Sequence, residues 1–289
     1  MNLFAFGVGY SAAHFVRRYR HRFETIAGTT TSPEKAAALR ADGIEPLMFD
    51  GASADLGIAS ALTGADAVLV SIPPDAEGDP TLRYFAAAIA AVPRLAWIGY
   101  LSTVGVYGDH GGGWVDEETP AHPAQPRSIE RLATERAWQA MGMEAGSAVD
   151  IFRLPGIYGP GRSAIDQVKA GTARRIDKPG QVFSRIHVAD VAGTVLLALG
   201  QARAGAIYNV ADDLPAATGE VVAFACALLG KPVPPAMPWD EVAPTMSAMA
   251  RSFYAENRRV RNDKIKNELG VALRYPTYKE GLRAIAAAG

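Results

Sequence analysis

Short apolar runs alternate with Ala-rich amphipathic stretches over the first 158 residues. "LFAFG" (3–7), "FETIAGTT" (23–30), "IEPLMFD" (44–50), "AVLVSI" (67–72), "LAWIGYLST" (95–103) and "AVDIFRLPG" (148–156) predict strands. "SAAHFVRRY", "SPEKAAALRADG", "TLRYFAAAIAAV" and "SIERLATERAWQAMG" predict helices between them. Strands that are apolar along their length belong in a sheet covered on both faces. The alternation therefore predicts an α/β fold, a doubly wound parallel sheet. After residue 158 the rhythm changes. "IYGPGRSAIDQV" is turn-rich, "FSRIHVADVAGTVLLALG" reads as a loop or short strand entering a helix, and "AIYNVAD" (206–212) reads as another strand. The expected division is residues 1–158 plus about 186–212 as the sheet domain. Residues 159–185 and 213–289, with the Pro-rich "GKPVPPAMPWDEVAP", form a smaller lobe. "GDHGGGWVDEETP" (108–120) reads as a mobile surface loop.

Composition narrows the class. The 289 residues carry a net charge of -1, so no basic footprint points to nucleic acid or an anionic membrane. The basic clusters at 17–22 and 257–266 read as solvated helix faces. No signal-like leader is read at "MNLFAFGVGY", and no apolar run reaches the roughly 18 residues that would span a bilayer. The single cysteine, Cys226, sits in an apolar helical pattern and fits a reducing, cytoplasmic setting. The five histidines are scattered, and neither a metal site nor a Gly-x-Ser-x-Gly elbow is expected.

The chemistry begins at "GVGYSA", with Gly7, Gly9, Tyr10, Ser11 and Ala12 between a predicted strand and a predicted helix. Gly7 permits a tight turn, Gly9 a close approach of backbone to a pyrophosphate, and Ala12 close packing of helix on strand. The following helix offers N–H groups to phosphates. The second strand ends without the carboxylate that would hold the ribose of NAD. Thr29, Thr30 and Thr31 stand there instead, followed by the cap-like Ser32-Pro33 and by Lys35. This tilts the expected cofactor to NADP, with NAD as the alternative. Asp50, followed by Gly51, is placed to meet the adenine. Ser71, Ile72 and Pro73 of "SIPP" flank the cofactor.

With "GVGYSA" and, further on and in the same order, "YLSTVGVYG", "RLPGIYGPGR" and "RIHVADVA", the chain resembles the extended or atypical short-chain dehydrogenase/reductases, in particular the NAD(P)-dependent nucleoside-diphosphate-sugar epimerase-like group. The resemblance covers nearly the whole chain and implies an NAD(P)-binding Rossmann fold with a small C-terminal substrate lobe. It implies that Thr103 holds a substrate oxygen, with Leu101 and Ser102 beside the cofactor and Val104 beside the substrate. It implies that Leu154, Pro155 and Gly156 line the nicotinamide, and that Tyr158, Arg162, Arg185 and His187 face the substrate. The family's Tyr-x-x-x-Lys acid/base pair aligns with Arg127 and Arg131. Arg131 can still hold a ribose or phosphate, but Arg127 cannot act as an acid or base at ordinary pH. Tyr107 is the first candidate for a replacement proton donor. The resulting expectation is an oxidoreductase or epimerase-like enzyme on a sugar or sugar-nucleotide substrate. A catalytically silent, NADP-binding sensor is the alternative. The helices at 81–92 and 127–141 are compatible with a homodimer.

Overall fold

The apolar runs become strands where they were expected. The computed structural model describes residues 1–201 and 205–288, so residues 202–204 of the predicted 186–212 stretch, and Gly289, lie outside the described residues. In chain order the strands are β1 (Leu3–Phe6), β2 (Ile26–Thr30), β3 (Glu45–Met48), β4 (Ala67–Val70), β5 (Trp97–Thr103), β6 (Trp114–Val115), β7 (Ala148–Leu154), β8 (Gly156–Tyr158), β9 (Arg175–Asp177), β10 (Arg185–His187), β11 (Ile207–Asn209), β12 (Ala236–Pro238) and β13 (Arg259–Val260). Among the described residues, seven of them form one sheet in the order β11-β7-β5-β4-β1-β2-β3. The pairings β3–β2, β2–β1, β1–β4 and β4–β5 are parallel. The chain winds outward from β1 through β2 to β3, then returns to β4 on the other side of β1. That reversal opens the crevice where doubly wound sheets bind ligands, at the carboxyl ends of the strands.

Burial follows position. All four residues of β1 and of β4 are buried, whereas both ends of the edge strand β3 are exposed. β2 begins three residues later than its apolar run, because Arg20–Arg22 form a 3₁₀ turn closed by Phe23 N donating to Arg20 O. The first helices are α1 (Tyr10–Arg18), α2 (Pro33–Ala41), α3 (Leu56–Leu62), α4 (Pro80–Ala90) and α5 (Pro126–Ala145). Asp79 caps α4 through Thr81 N (2.7 Å) and also accepts from the Trp138 indole of α5 (2.9 Å). One carboxylate thus ties two helices together. Burial raises its pKa, and these bonds act against that rise.

The chain divides into two units: Met1–Thr103 with Pro126–Arg153 and Val191–Tyr208, and Val104–Gln125 with Leu154–Asp190 and Asn209–Gly289. Segment 104–125 falls in the second because β6 pairs in parallel with β13. Composition made 108–120 a mobile loop; the structure corrects this. Asn257 O accepts from His110 N and Gly112 N, and Asn257 N donates to Asp109. The Arg258 and Arg259 guanidiniums donate to Gly108 O and Gly112 O. The glycines let the backbone turn tightly enough to be read by these donors, so here a Gly-rich segment is a clamped one. The second unit also holds α6 (Ala164–Lys169) and α8 (Thr218–Leu228), which pack with Tyr158, Tyr278 and Leu282 into a separate apolar cluster. The helix Val188–Leu199 is α7. Among the described residues, no helix is long and apolar enough to cross a membrane.

Candidate nucleotide-binding site

The turn after β1 is built around Gly7. Its φ is +81°, and a β-carbon there would lie 2.7 Å from Ile72 Cγ1 and 3.1 Å from Ile72 N. Only glycine fits both the conformation and the space. Three bonds fix the turn: Gly7 N donates to Thr29 Oγ1 (2.8 Å), Val8 N to Thr29 O (2.8 Å), and Ser71 Oγ to Gly7 O (3.0 Å). Thr29, Ser71 and Ile72 therefore stand against the loop, with Thr29 fully buried and bracing the turn through its hydroxyl. Gly9 differs. Its φ is -85°, open to any residue, and nothing lies within 4 Å of a β-carbon built on it. It caps α1 without a side chain, and the first turn of α1 carries no acidic residue. Ala12 is fully buried against the sheet. The start of α1 thus carries no side-chain cap, while the turn before it is locked.

The other predicted cofactor residues are placed less tellingly. Thr30 is buried and accepts weakly from Ser32 N (3.5 Å), while Thr31 is exposed. Asp50 is exposed and accepts from Ala52 N (2.9 Å), which closes the turn at Gly51. Pro73 is exposed.

At the end of β5 the helix α5 presents Arg127, Arg131 and Glu135, four residues apart on one face. Arg127 is exposed. Arg131 donates to Tyr100 Oη (2.9 Å) and Leu101 O (3.1 Å), with its guanidinium over the Tyr100 ring. Burial drives the Tyr100 phenol pKa up, against the opposing pull of Arg131. Ser102 is turned inward. Its hydroxyl donates to Glu135 Oε1 (2.5 Å), and Glu135 receives a bidentate Arg153 (2.7 Å at the closest). All three residues are buried. Sequence reading missed this network. Its signal was Glu135 itself, a carboxylate one turn past Arg131 on the same face. Thr103 is half-buried at the strand end.

The second unit holds the remaining predicted residues. Tyr107 is fully buried and donates to Asn209 Oδ1 (2.9 Å). A phenol held this way supports the fold, and this placement gives no support to a role as proton donor. Tyr158 is 7% exposed, donates to Thr277 O (3.3 Å) and stacks edge-on with His187. His187 lies between Tyr158 and Tyr275 and accepts at Nδ1 from Ala189 N. Both are core residues of this unit rather than surface contacts. Arg185 donates to Phe183 O and Ala216 O (both 2.8 Å), and burial lowers its pKa. Val104 and Leu154 are buried, Pro155 is half-buried, and Gly156 and Arg162 are exposed. A cavity of about 210 Å³ lies in the same unit, lined by both signs of charge, Arg175 and Lys178 with Asp177 and Glu220, and by Phe183 and Tyr254. Sequence reading did not find it, because its walls come from segments distant along the chain. Among the described residues, no group of three or more His, Cys, Asp or Glu could hold a metal ion.

Asp212 is a second group the sequence did not flag. It is 1% exposed; Oδ1 accepts from Leu214 N (3.2 Å), and Oδ2 is buried with no partner. Burial pushes its pKa from 3.8 up to about 7. A folded pKa above the unfolded one adds stability at low pH that is lost as pH rises. Asp212→Asn is therefore expected to match wild type in thermal melts near pH 4. It should exceed wild type progressively from pH 4 to 7 and hold that lead above 7. Parallel curves across the range would show that Asp212 carries no burial penalty.

Residues 81–211 match the model of the NAD dependent epimerase/dehydratase family. The solved structure of a functionally unknown conserved protein from Silicibacter pomeroyi DSS is 45% identical, with a TM-score of 0.88 over 99% of this chain and 98% of that one. Protein YeeZ of Escherichia coli (strain K12) is 28% identical over 215 residues, 71% of this chain and 75% of YeeZ. A dTDP-glucose 4,6-dehydratase from Bacillus anthracis str. Ames, in complex with NAD, has a TM-score of 0.79 at 18% identity, covering 99% of this chain and 96% of that one. That last likeness is one of fold. The glycine turn and the strand order accord with this match: residues 81–211 carry the pattern of the NAD dependent epimerase/dehydratase family, on a fold that the NAD-complexed neighbour shares.

Proposed function

We propose that this protein binds a nicotinamide dinucleotide at Gly7–Ala12 and acts as an oxidoreductase or epimerase-like enzyme on a sugar or sugar-nucleotide substrate. The observation that carries the proposal is the contrast within the loop: Gly7 is locked by Thr29, Ser71 and Ile72, while Gly9 faces open space at an uncapped helix start. The pyrophosphate would take the N–H groups of the α1 start. Arg131, already anchored to the strand end, would present its remaining donors to ribose or phosphate. When bound, the dinucleotide would supply hydride chemistry. Thr103 would bind the reacting oxygen. The fold neighbour named for dTDP-glucose fits this substrate class. The cytoplasmic reading rests on the lone, buried Cys226. Pairing of two copies through α4 and α5 is part of the same reading; α5 exposes Ile129 and Met143.

One observation favours a second reading, a dinucleotide-binding protein without turnover. The family's dyad positions hold Arg127 and Arg131, and the hydroxyls of Tyr107 and Tyr158 are committed inside the second unit. The experiment that separates the two follows nicotinamide absorbance in single turnovers with a panel of sugar nucleotides and small carbonyl compounds. A change in absorbance with any of them establishes the enzyme. Binding of dinucleotide with a flat trace across the panel favours the silent protein.

A further inference from the structure

The segment "RIDKPGQVF" (175–183) runs from β9 into a tight turn. Gly180 takes a φ of +76°, and Gln181 N donates to Lys178 O (3.1 Å). The turn sets Lys178 and Phe183 beside Arg175 and Asp177 in the lining of the cavity of about 210 Å³. Tyr254 and the first turn of α8 complete that lining, and all of these residues belong to the second unit. The volume is below the roughly 300–1,000 Å³ of pockets for drug-sized ligands, so it suits a small molecule.

The charges in the cavity are of both signs and are kept apart. Lys178 Nζ donates to Tyr254 O and lies 5.1 Å from the centre of the Trp239 ring, so neutral groups hold the ammonium in place. The stem of Arg175 lies across the start of α8, where a β-carbon on Gly219 would stand 3.1 Å from Arg175 Cγ. Glu220 spends one oxygen on Ala217 N (3.3 Å). Among the described residues, no ion pair joins Arg175 or Lys178 to Asp177 or Glu220. Arg175 and Asp177 stand at alternate positions of β9, hence on one face and about 7 Å apart. The apolar wall is fixed as well. Phe183 meets the Tyr254 ring edge-on at 5.1 Å, and Trp239 stacks on Tyr254 at 4.8 Å.

Opposite charges left unpaired around one small, aromatic-walled cavity match a ligand that carries both signs. A plain anion would meet the two carboxylates as well as the two cations, and a plain cation the reverse. We infer that this cavity binds a small zwitterion of the α-amino-acid class. Arg175 and Lys178 take its carboxylate, Asp177 and Glu220 its ammonium, and Phe183 and Tyr254 its side chain. No residue of the glycine loop takes part, so this site stands apart from the dinucleotide reading.

The test is calorimetric titration of the full-length protein with each of the twenty protein amino acids and with UMP. Any amino acid that binds is then compared with its des-amino acid and its decarboxylated amine. Saturable binding of at least one amino acid is the expected result. It should be at least about tenfold tighter than either analogue or UMP, since each lacks one charge-assisted contact. Arg175→Met, which keeps the stem on Gly219, and Asp177→Asn should each weaken it at least about tenfold with an unchanged melting temperature. Absence of binding by all twenty would overturn the assignment. So would UMP or the des-amino acid binding as tightly as the amino acid, or an affinity that both substitutions leave unchanged.

Discussion

Gly9→Val is expected to fold as wild type does and to lose dinucleotide affinity by at least about 100-fold. The backbone at Gly9 is ordinary, and a β-carbon there meets nothing. The cost of the substitution therefore falls on a ligand. Two hydrogen bonds from backbone N–H groups to a charged phosphate account for a loss of about that size. Gly7→Ala is the paired control with the opposite signature. At φ +81° an alanine is strained by about 1–2 kcal/mol, and its methyl would collide with Ile72. Gly7→Ala should lower the melting temperature before any ligand is added. Equal melts and equal affinities for both variants would remove the loop from the site.

The second large effect lies under the end of β5. Glu135→Ala removes the carboxylate that the buried Arg153 and Ser102 both bond. Breaking one side of a buried ion pair costs about 3–5 kcal/mol, which for a chain of this size lowers the melting temperature by on the order of 10 °C. The double variant Glu135→Leu with Arg153→Met should recover most of that loss, since a buried pair is worth little beyond an apolar replacement of similar volume. A single variant that melts with wild type would show that the triad is not structural. A double variant as unstable as the single would show that the pair contributes more than its burial costs.

The sheet was legible because each central strand is an apolar run with a turn signal behind it. All seven runs read from the sequence lie in the sheet, and the edge strand β3 is the one with exposed ends. The glycine loop was legible too, since Gly-x-Gly after a strand and before a helix carries its own mechanism. What the sequence could not carry were long-range partners. Whether Tyr107 faces a ligand or Asn209, 102 residues away, depends on tertiary contact alone. The same holds for Ser102 with Glu135 and Arg153, and for the clamp that Asn257 puts on the 108–113 turn. The cap of α2 was legible, with Ser32 accepting from Lys35 N and Pro33 opening the helix, whereas the Ser32–Glu34 hydrogen bond depended on side-chain geometry.

The function proposed for this protein depends on the Gly7–Ala12 loop holding a nicotinamide dinucleotide. The decisive experiment is a fluorescence titration of the purified wild-type protein with NADH and NADPH, backed by calorimetry with NAD⁺ and NADP⁺. Saturable binding of at least one reduced form, at one site per chain, is the expected result. Absence of binding by all four would leave the fold standing and refute the dinucleotide site.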